Sequence, residues 1–384
     1  MLLFAVTGTN GKTTVTWILR QLLQNLGLEC GLIGTLGNYI GTQVLPTVNT
    51  TPGNRQLRDL LKAMEEQSIG ACALEASSHG IVQGRLSGLE PETGIFTNLT
   101  PDHLDYHGTM EDYYRAKKQL FDRCRRALIN LDGAYGPCLA EDLKREGKTV
   151  FTCTLQGRAE SLLETADFGP QQAEELLPEN LPLPGDYNRS NAFLAAACCR
   201  LLGIPARQIR AALETVTAPP GRLEEVPNCL GIRVFVDYAH TPDALEKVLA
   251  ALGSAPEPRG RILTVFGCGG SRDAQKRPAM GLAAGRGSDL CILTRDNPRE
   301  ERDETIFAAI EKGLLQTACP YTIVADRREA IAYGLRLCKA GDTLLIAGKG
   351  HETTQIIGKE TFPFHDGEVA AELLRQLHKK GERQ

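Results

Sequence analysis

No apolar stretch in this 384-residue chain approaches the ~20 residues needed to cross a bilayer. The apolar start, residues 1–6, is too short for a secretory signal and runs at once into glycines and a lysine. No two of the twelve cysteines are spaced as CxxC, and Cys198-Cys199 sits in an alanine-rich helical run. The cysteines therefore read as reduced, mostly buried thiols, not as a disulfide framework or a zinc site. No run of like charge stands out, and a net charge of -4 gives no global attraction for nucleic acid or an anionic membrane. No internal repeat or low-complexity tract is visible. These absences leave a cytoplasmic protein without nucleic-acid or membrane partners, whose anion binding must come from local clusters. At 42% hydrophobic content and this length, two domains are expected.

One such cluster stands near the start. The run Leu2-Leu3-Phe4-Ala5-Val6 leads into Thr7-Gly8-Thr9-Asn10-Gly11-Lys12-Thr13-Thr14, then into an apolar pattern (Val15, Ile18, Leu19, Leu22, Leu23, Leu26) with helical spacing that Gly27 is placed to end. A strand–loop–helix of this composition is a phosphate-binding loop. Gly8 and Gly11 allow a tight turn whose amides face an anion, Lys12 adds charge, and Thr13 or Thr14 offers a hydroxyl to Mg2+. The expected ligand is the triphosphate of ATP. The general GxxxxGK[ST] spacing is not met, because Val6 stands where its first glycine belongs.

Further short apolar segments end in polar turns: Ala71 to Leu74 before Glu75, Gly94 to Phe96 before Thr97-Asn98, and Ile129 beside Asn130. Their alternation with helices predicts a mostly parallel sheet with ligands at the strand C-terminal ends. Residues 153–184 weaken into polar and acidic residues that predict only short strands or loops. A helix is expected from Ser190 to Leu202. Thr217-Ala218-Pro219-Pro220-Gly221 reads as a hinge, so domains of 1–217 and 218–384 follow. Past it, strands are expected at Val234–Val236, Ile262–Phe266, Leu290–Thr294, Tyr321–Val324 and Thr343–Ala347. The fold class is α/β: a P-loop-type central domain followed by a Rossmann-like one. Gly267-Cys268-Gly269-Gly270 lacks the GxGxxG spacing of a dinucleotide site.

Glu75, within Glu75-Ala76-Ser77-Ser78-His79-Gly80, and His103, within Asp102-His103-Leu104-Asp105-Tyr106-His107, should converge on the phosphate loop. A carboxylate and a neutral imidazole beside a triphosphate can serve Mg2+ directly or through water. Taken singly, Glu75 could equally cap a turn and His103 could be a structural histidine. Lys117 lies on a helix beside Lys118, which reads as a solvated surface lysine.

Five segments together resemble the Mur ligases in order and spacing. They are the loop of residues 7–14, Glu75 to Gly80, Thr97 to Gly108, Val236-Asp237-Tyr238-Ala239-His240-Thr241-Pro242-Asp243, and Ala347-Gly348-Lys349-Gly350-His351-Glu352. The resemblance covers nearly the whole chain and is strongest to the members that add diaminopimelate to UDP-N-acetylmuramoyl-L-alanyl-D-glutamate.

That resemblance implies an ATP-dependent acid–amino-acid ligase of peptidoglycan synthesis, with ATP and Mg2+ as cofactors. Gly8, Thr9, Asn10, Gly11, Lys12, Thr13 and Thr14 would hold the phosphates. Asn188 and Asn191 would lie near the adenine, and Arg222 and Asp237 would meet a phosphate and the ribose. Thr13, Thr14, Glu75, His103 and a carbamylated Lys117 would serve the metals, with Lys12, Glu75, His103 and Lys117 as the catalytic set. Asn49, Thr50, Thr51, Ser77, Gln83 and Arg85 match positions that contact the muramoyl peptide. Arg272, Asp296, Asn297, Arg299, Gly348 and Glu352 match the amino-acid pocket, with Arg299 on the distal carboxylate that lysine lacks and Glu352 near the distal ammonium.

The family places a uridine-diphosphate-gripping domain ahead of the loop. Its absence before Met1 predicts reduced uridine recognition or a separate UDP-binding partner for an otherwise monomeric enzyme. Two alternatives stay open: the same chemistry on another carboxylate, as in folylpolyglutamate or cyanophycin synthetases, or a noncatalytic nucleotide-binding regulator.

Overall fold

A strand buried on both faces must be apolar along its whole length, and the central strands meet that demand. In the computed structural model, which describes residues 1–156, 167–254, 260–271 and 273–381, the chain divides into two compact units, 1–219 and 220–384. Among its described residues the first unit holds eight strands: β1 (Leu2–Thr7), β2 (Cys30–Gly34), β3 (Gly37–Ile40), β4 (Gln43–Leu45), β5 (Ala71–Glu75), β6 (Thr93–Phe96), β7 (Arg126–Asn130) and β8 (Thr149–Cys153). They lie in the order β4-β3-β2-β5-β1-β6-β7-β8. From β2 to β8 the neighbours run parallel, while β3 and β4 extend the sheet as an antiparallel meander.

Along β1 the side chains alternate between two cores, as the two-residue period of a strand requires. Phe4 and Val6 pack with Val15, Ile18 and Leu22 of the helix Lys12–Asn25 and with Phe193 and Ala196 of the helix Asp186–Leu201. Leu3 and Ala5 join Leu57 and Leu61 of the helix Asn54–Glu66 on the opposite face. The chain leaves β1 toward β2 and β5 on one side and β6 on the other, which makes the end of β1 a switch point. The register sets Val6 beside Glu75 and Thr7 beside Phe96, so Gly8, Glu75 and Thr97 leave the sheet at one edge.

The second unit has the order β13-β12-β11-β14-β10-β9, from β9 (Glu224–Glu225), β10 (Arg233–Asp237), β11 (Ile262–Phe266), β12 (Leu290–Leu293), β13 (Tyr321–Ile323) and β14 (Thr343–Ala347). All neighbours are parallel except β9. A hairpin, β15 (Thr354–Ile357) and β16 (Glu360–Pro363), follows the Gly348–Glu352 turn. Arg327 is wholly buried in this unit. Its guanidinium grips Asp366 at 2.7 Å and donates to the Ala347 and Arg295 carbonyls, tying the ends of β14 and β12 to the last helix.

Some details differ from the sequence expectations. The helix expected at Ser190 starts at Asp186, where Gly185 takes a positive φ of 92° and Asp186 places its charge at the helix N-terminus. The weak stretch 153–184 contains a helix, Pro170–Leu176, while residues 157–166 and Arg272 lie outside the described residues. Lys118 is not a solvated lysine: it bonds Asp142 at 3.2 Å and Glu146 at 2.7 Å. The twelve cysteines are all free and eight are buried. Among the described residues no helix is long and apolar enough to cross a membrane.

Candidate active site

The phosphate loop is clamped by the turn after β6. Thr97 Oγ1 donates to the Asn10 carbonyl at 2.6 Å, Asn98 Nδ2 donates to the same carbonyl at 3.1 Å, and Asn98 Oδ1 accepts the Asn10 amide at 3.0 Å. Gly8 must be glycine here, because a Cβ would lie 1.8 Å from Thr97 Oγ1. Thr9 Oγ1 accepts the Thr100 amide at 3.0 Å. Two buried threonines, Thr13 and Thr14, open the following helix, and Asn191 packs against Gly11. Asn188, also buried, donates to the Pro184 carbonyl at 2.8 Å and accepts Asn191 Nδ2 at 3.5 Å.

Two lysines from distant parts of the chain meet at one carbonyl. Lys12 Nζ donates to Gly8 O at 2.8 Å and to Thr9 O at 2.9 Å, and Lys117 Nζ donates to the same Gly8 O at 2.8 Å. Lys117 is buried, with its ammonium 4.5 Å from the centre of the Tyr113 ring. Burial holds its pKa well below the ordinary lysine value, the charge of Lys12 adds to that, and Asp102 opposes it.

Glu75 is fully buried at the end of β5. Its Oε2 accepts Thr13 Oγ1 at 2.9 Å and Thr35 Oγ1 at 3.1 Å, and its Oε1 accepts the Thr35 amide at 2.8 Å. Thr35 is not among the residues expected from sequence at this site. The register Ile33↔Leu74 between β2 and β5 delivers it, and nothing local in the sequence announces a pairing 40 residues away. We expect Thr35→Val, which removes the hydroxyl that donates to the Glu75 carboxylate, a charge-assisted bond of about 1.5 kcal/mol, to raise the KM for ATP about tenfold with little change in melting temperature. An unaltered KM would show that Thr35 merely packs there.

His103 sits at a left-handed φ of 52°, its Nε2 3.4 Å from Asp102 Oδ2 and its ring edge-on to His79 at 5.0 Å. Among the described residues no three His, Cys, Asp or Glu side chains form a ready-made metal cage. The donors at hand suit Mg2+, which keeps several waters and takes one or two carboxylates plus substrate phosphates.

Five of the six expected acceptor residues interlock beside Glu75. Thr51 Oγ1 donates to the Glu75 carbonyl at 2.7 Å and meets Ser77 Oγ at 3.0 Å. Thr50 meets Thr35 at 3.0 Å, and Arg85 donates to the Thr51 carbonyl at 2.6 Å while bonding Gln83. Asn49 is exposed on the preceding loop.

In the second unit, Asp237 Oδ2 accepts the Leu223 amide at 2.6 Å and Oδ1 the Ala239 amide at 2.7 Å, leaving a lone pair on each oxygen. Burial raises its pKa against the opposing charge of Arg222. The Arg222 guanidinium lies over the Tyr238 ring at 4.6 Å.

A separate cluster forms where β12 and β14 end. Asn297 Nδ2 donates to Glu352 Oε2 at 2.9 Å, and Gln355 Nε2 to the Asp296 carbonyl at 2.9 Å. Gly348 has a φ of 114°, and a Cβ there would come within 2.7 Å of Asp296 Oδ2. Burial raises the Asp296 pKa, with Arg327 and Lys349 opposing. Arg299 Nη1 donates to the Gly270 carbonyl at 3.0 Å, and its backbone bridges to Ile357 of β15. The neighbouring glutamates bond elsewhere: Glu301 takes Arg277 at 2.6 Å and Glu300 takes Lys359 at 3.7 Å. Asp296, Asn297, Arg299, Gly348 and Glu352 thus lie in one cluster, joined by Lys349 of the Ala347–Glu352 motif.

Two family models match the chain: the Mur ligase middle domain over residues 6–199, and the Mur ligase, glutamate ligase domain over 221–350. A curated relative from Caldanaerobacter subterraneus, named UDP-N-acetylmuramoyl-L-alanyl-D-glutamate--2,6-diaminopimelate ligase, is 40% identical over 98% of this chain and 79% of its own length. The relative of the same name from Clostridioides difficile is also 40% identical, over 97% and 78%. A solved structure of a ligase of that name aligns with a TM-score of 0.66 at 34% identity, covering 98% of this chain and 79% of that one. Escherichia coli FolC with DHPP and ADP shares the fold, with a TM-score of 0.68 at 19% identity and coverage of 99% and 89%.

Proposed function

The chain belongs to the Mur ligase family, and on that footing we propose that it adds meso-diaminopimelate to the D-glutamate carboxylate of UDP-N-acetylmuramoyl-L-alanyl-D-glutamate at the expense of ATP. The observation that carries the reading is the meeting of Lys12 and Lys117 on the Gly8 carbonyl, beside the buried Glu75–Thr13 pair. Two ammonium groups packed this closely repel, and the lysine with no solvent is the one driven to give up its proton. A neutral Lys117 amine can add CO2: its nitrogen forms a bond to carbon, a proton leaves, and an anionic carbamate results.

In this reading the acceptor carboxylate attacks the γ-phosphorus of ATP, releasing ADP and leaving an acyl phosphate. The diaminopimelate amine then attacks the acyl carbon and phosphate departs. Lys12 and the loop amides face the charge that collects on the transferring phosphoryl group. The Thr13 and Thr14 hydroxyls, Glu75, His103 and the Lys117 carbamate would hold Mg2+, which would supply further neutralisation of the phosphates. Asn188 and Asn191 belong to the adenine, Arg222 to a phosphate and Asp237 to the ribose. Thr50, Thr51, Ser77, Gln83 and Arg85 belong to the acceptor peptide, and Arg299, Asp296, Asn297, Gly348 and Glu352 to the donor. Arg299 answers the donor's distal carboxylate as a planar fork, for which lysine offers nothing.

ADP release by the purified protein, measured with diaminopimelate and a panel of carboxylate acceptors, tests the reading. Turnover is expected with the UDP-muramoyl dipeptide. Turnover confined to another carboxylate would replace the acceptor, and silence with every acceptor would overturn the enzymatic assignment for this chain.

A further inference from the structure

Lys349 is wholly buried, and each of its three N–H donors is spent. Nζ donates to Asn297 Oδ1 at 3.2 Å, to Glu352 Oε2 at 2.8 Å and to the Thr354 carbonyl at 2.7 Å. With no donor left over, the ammonium cannot itself bind a substrate group. It acts through its partners. Asn297 Oδ1 also accepts the Ile356 amide at 2.9 Å, and Asn297 Nδ2 donates to the same Glu352 oxygen that Lys349 holds. One cation therefore fixes both Asn297 and Glu352, and both bonds to Glu352 end on Oε2.

We propose that Lys349 is a positioning residue that sets the charge of the donor pocket: by neutralising Glu352 it makes the pocket choose its amino acid by the distal carboxylate and not by the distal ammonium. The inference rests on the assignment of Arg299 and Glu352 to the donor. If Glu352 were uncompensated, its negative charge would draw the side-chain ammonium of lysine and repel the second carboxylate of diaminopimelate, eroding the preference that Arg299 creates. With Lys349 in place the pair sums to zero, and the fork of Arg299 is left to discriminate.

The test is the selectivity ratio, kcat/KM for meso-diaminopimelate over kcat/KM for L-lysine, measured by ADP release in four proteins: wild type, Lys349→Met, Glu352→Gln and the double variant. Local charge orders the outcome. The ratio should fall about tenfold or more in Lys349→Met, chiefly through KM. It should rise in Glu352→Gln and return toward wild type in the double variant, with the KM for ATP within about twofold throughout. Lys349→Gln, whose amide can still donate to Thr354 and Glu352, gives the same uncharged reading should the methionine variant fold poorly. A ratio unmoved in both lysine variants, or a double variant worse than either single one, overturns the proposal and leaves Lys349 a structural prop. A wild-type protein that uses neither amino acid removes the donor assignment itself. A wild type whose diaminopimelate use depends on Arg299, but whose selectivity ignores Lys349, removes this inference alone.

Discussion

Replacing Lys117 with alanine is expected to lower amide formation about 10^3-fold, the scale of loss when one member of an electrostatic constellation goes, and formate or acetate should restore part of it. The amine is buried, bonded to the Gly8 carbonyl at 2.8 Å, and shares that carbonyl with Lys12. As a cation it would add to a charge Lys12 already provides. As a carbamate it would place a second anionic ligand for Mg2+ beside Glu75 at this edge of the sheet. A short carboxylate can occupy the space the alanine opens and stand in for the carbamate oxygens, which no neutral additive can do. Lys117→Arg sharpens the experiment: a guanidinium keeps its charge and cannot take up CO2, so this variant should be as inactive as alanine and should not respond to acetate. Turnover that survives in either variant would sink the carbamate, whatever becomes of the rest of the site.

The parts of this architecture legible in the sequence are those encoded locally. Buried parallel strands must be apolar throughout, so β1, β5, β6, β11 and β14 stand out, and the polar residues that end them mark the ligand edge. The loop of residues 7–14 is a short local motif, whereas the run 296–299 stands out only through its resemblance to a known family. What could not be read are contacts fixed by register and by packing between distant segments. Thr35 reaches Glu75 only because β2 lies beside β5, and Lys118 finds Asp142 and Glu146 only because two helices meet. The helix Pro170–Leu176 is short, and its polar residues outnumber the two, Ala173 and Leu176, that it buries, so no apolar period announces it. Lys349 is the instructive case. Nothing in the run Ala347-Gly348-Lys349-Gly350-His351-Glu352 assigns the lysine a partner, and only the geometry reveals that its three hydrogen bonds are made within the donor cluster.

Arg299→Ala should reduce kcat/KM for diaminopimelate about 100-fold, while the KM for ATP stays within about twofold. The argument turns on what the side chain already does. Its backbone adopts a positive φ of 53° and is pinned on both sides by β15, the amide donating to Ile356 O at 3.2 Å and the carbonyl accepting the Gly358 amide at 2.8 Å. Nη1 reaches the Gly270 carbonyl at 3.0 Å and the Asn297 carbonyl at 3.3 Å. The guanidinium is thus oriented before any ligand arrives, and its hydrogen bonds among the described residues use one nitrogen of the fork. A preorganised cation that meets a carboxylate through the remaining N–H groups loses a few kcal/mol when truncated, about 100-fold near 2.7 kcal/mol. Lysine as donor carries no distal carboxylate and should therefore feel the alanine far less, so the two donors should converge in kcat/KM. Arg299→Lys should recover only a fraction, because a point charge cannot reproduce a bidentate contact and gives up the bonds that orient Arg299. Equal losses for diaminopimelate, lysine and ATP would mean that Arg299 holds the turn against β15 and nothing more.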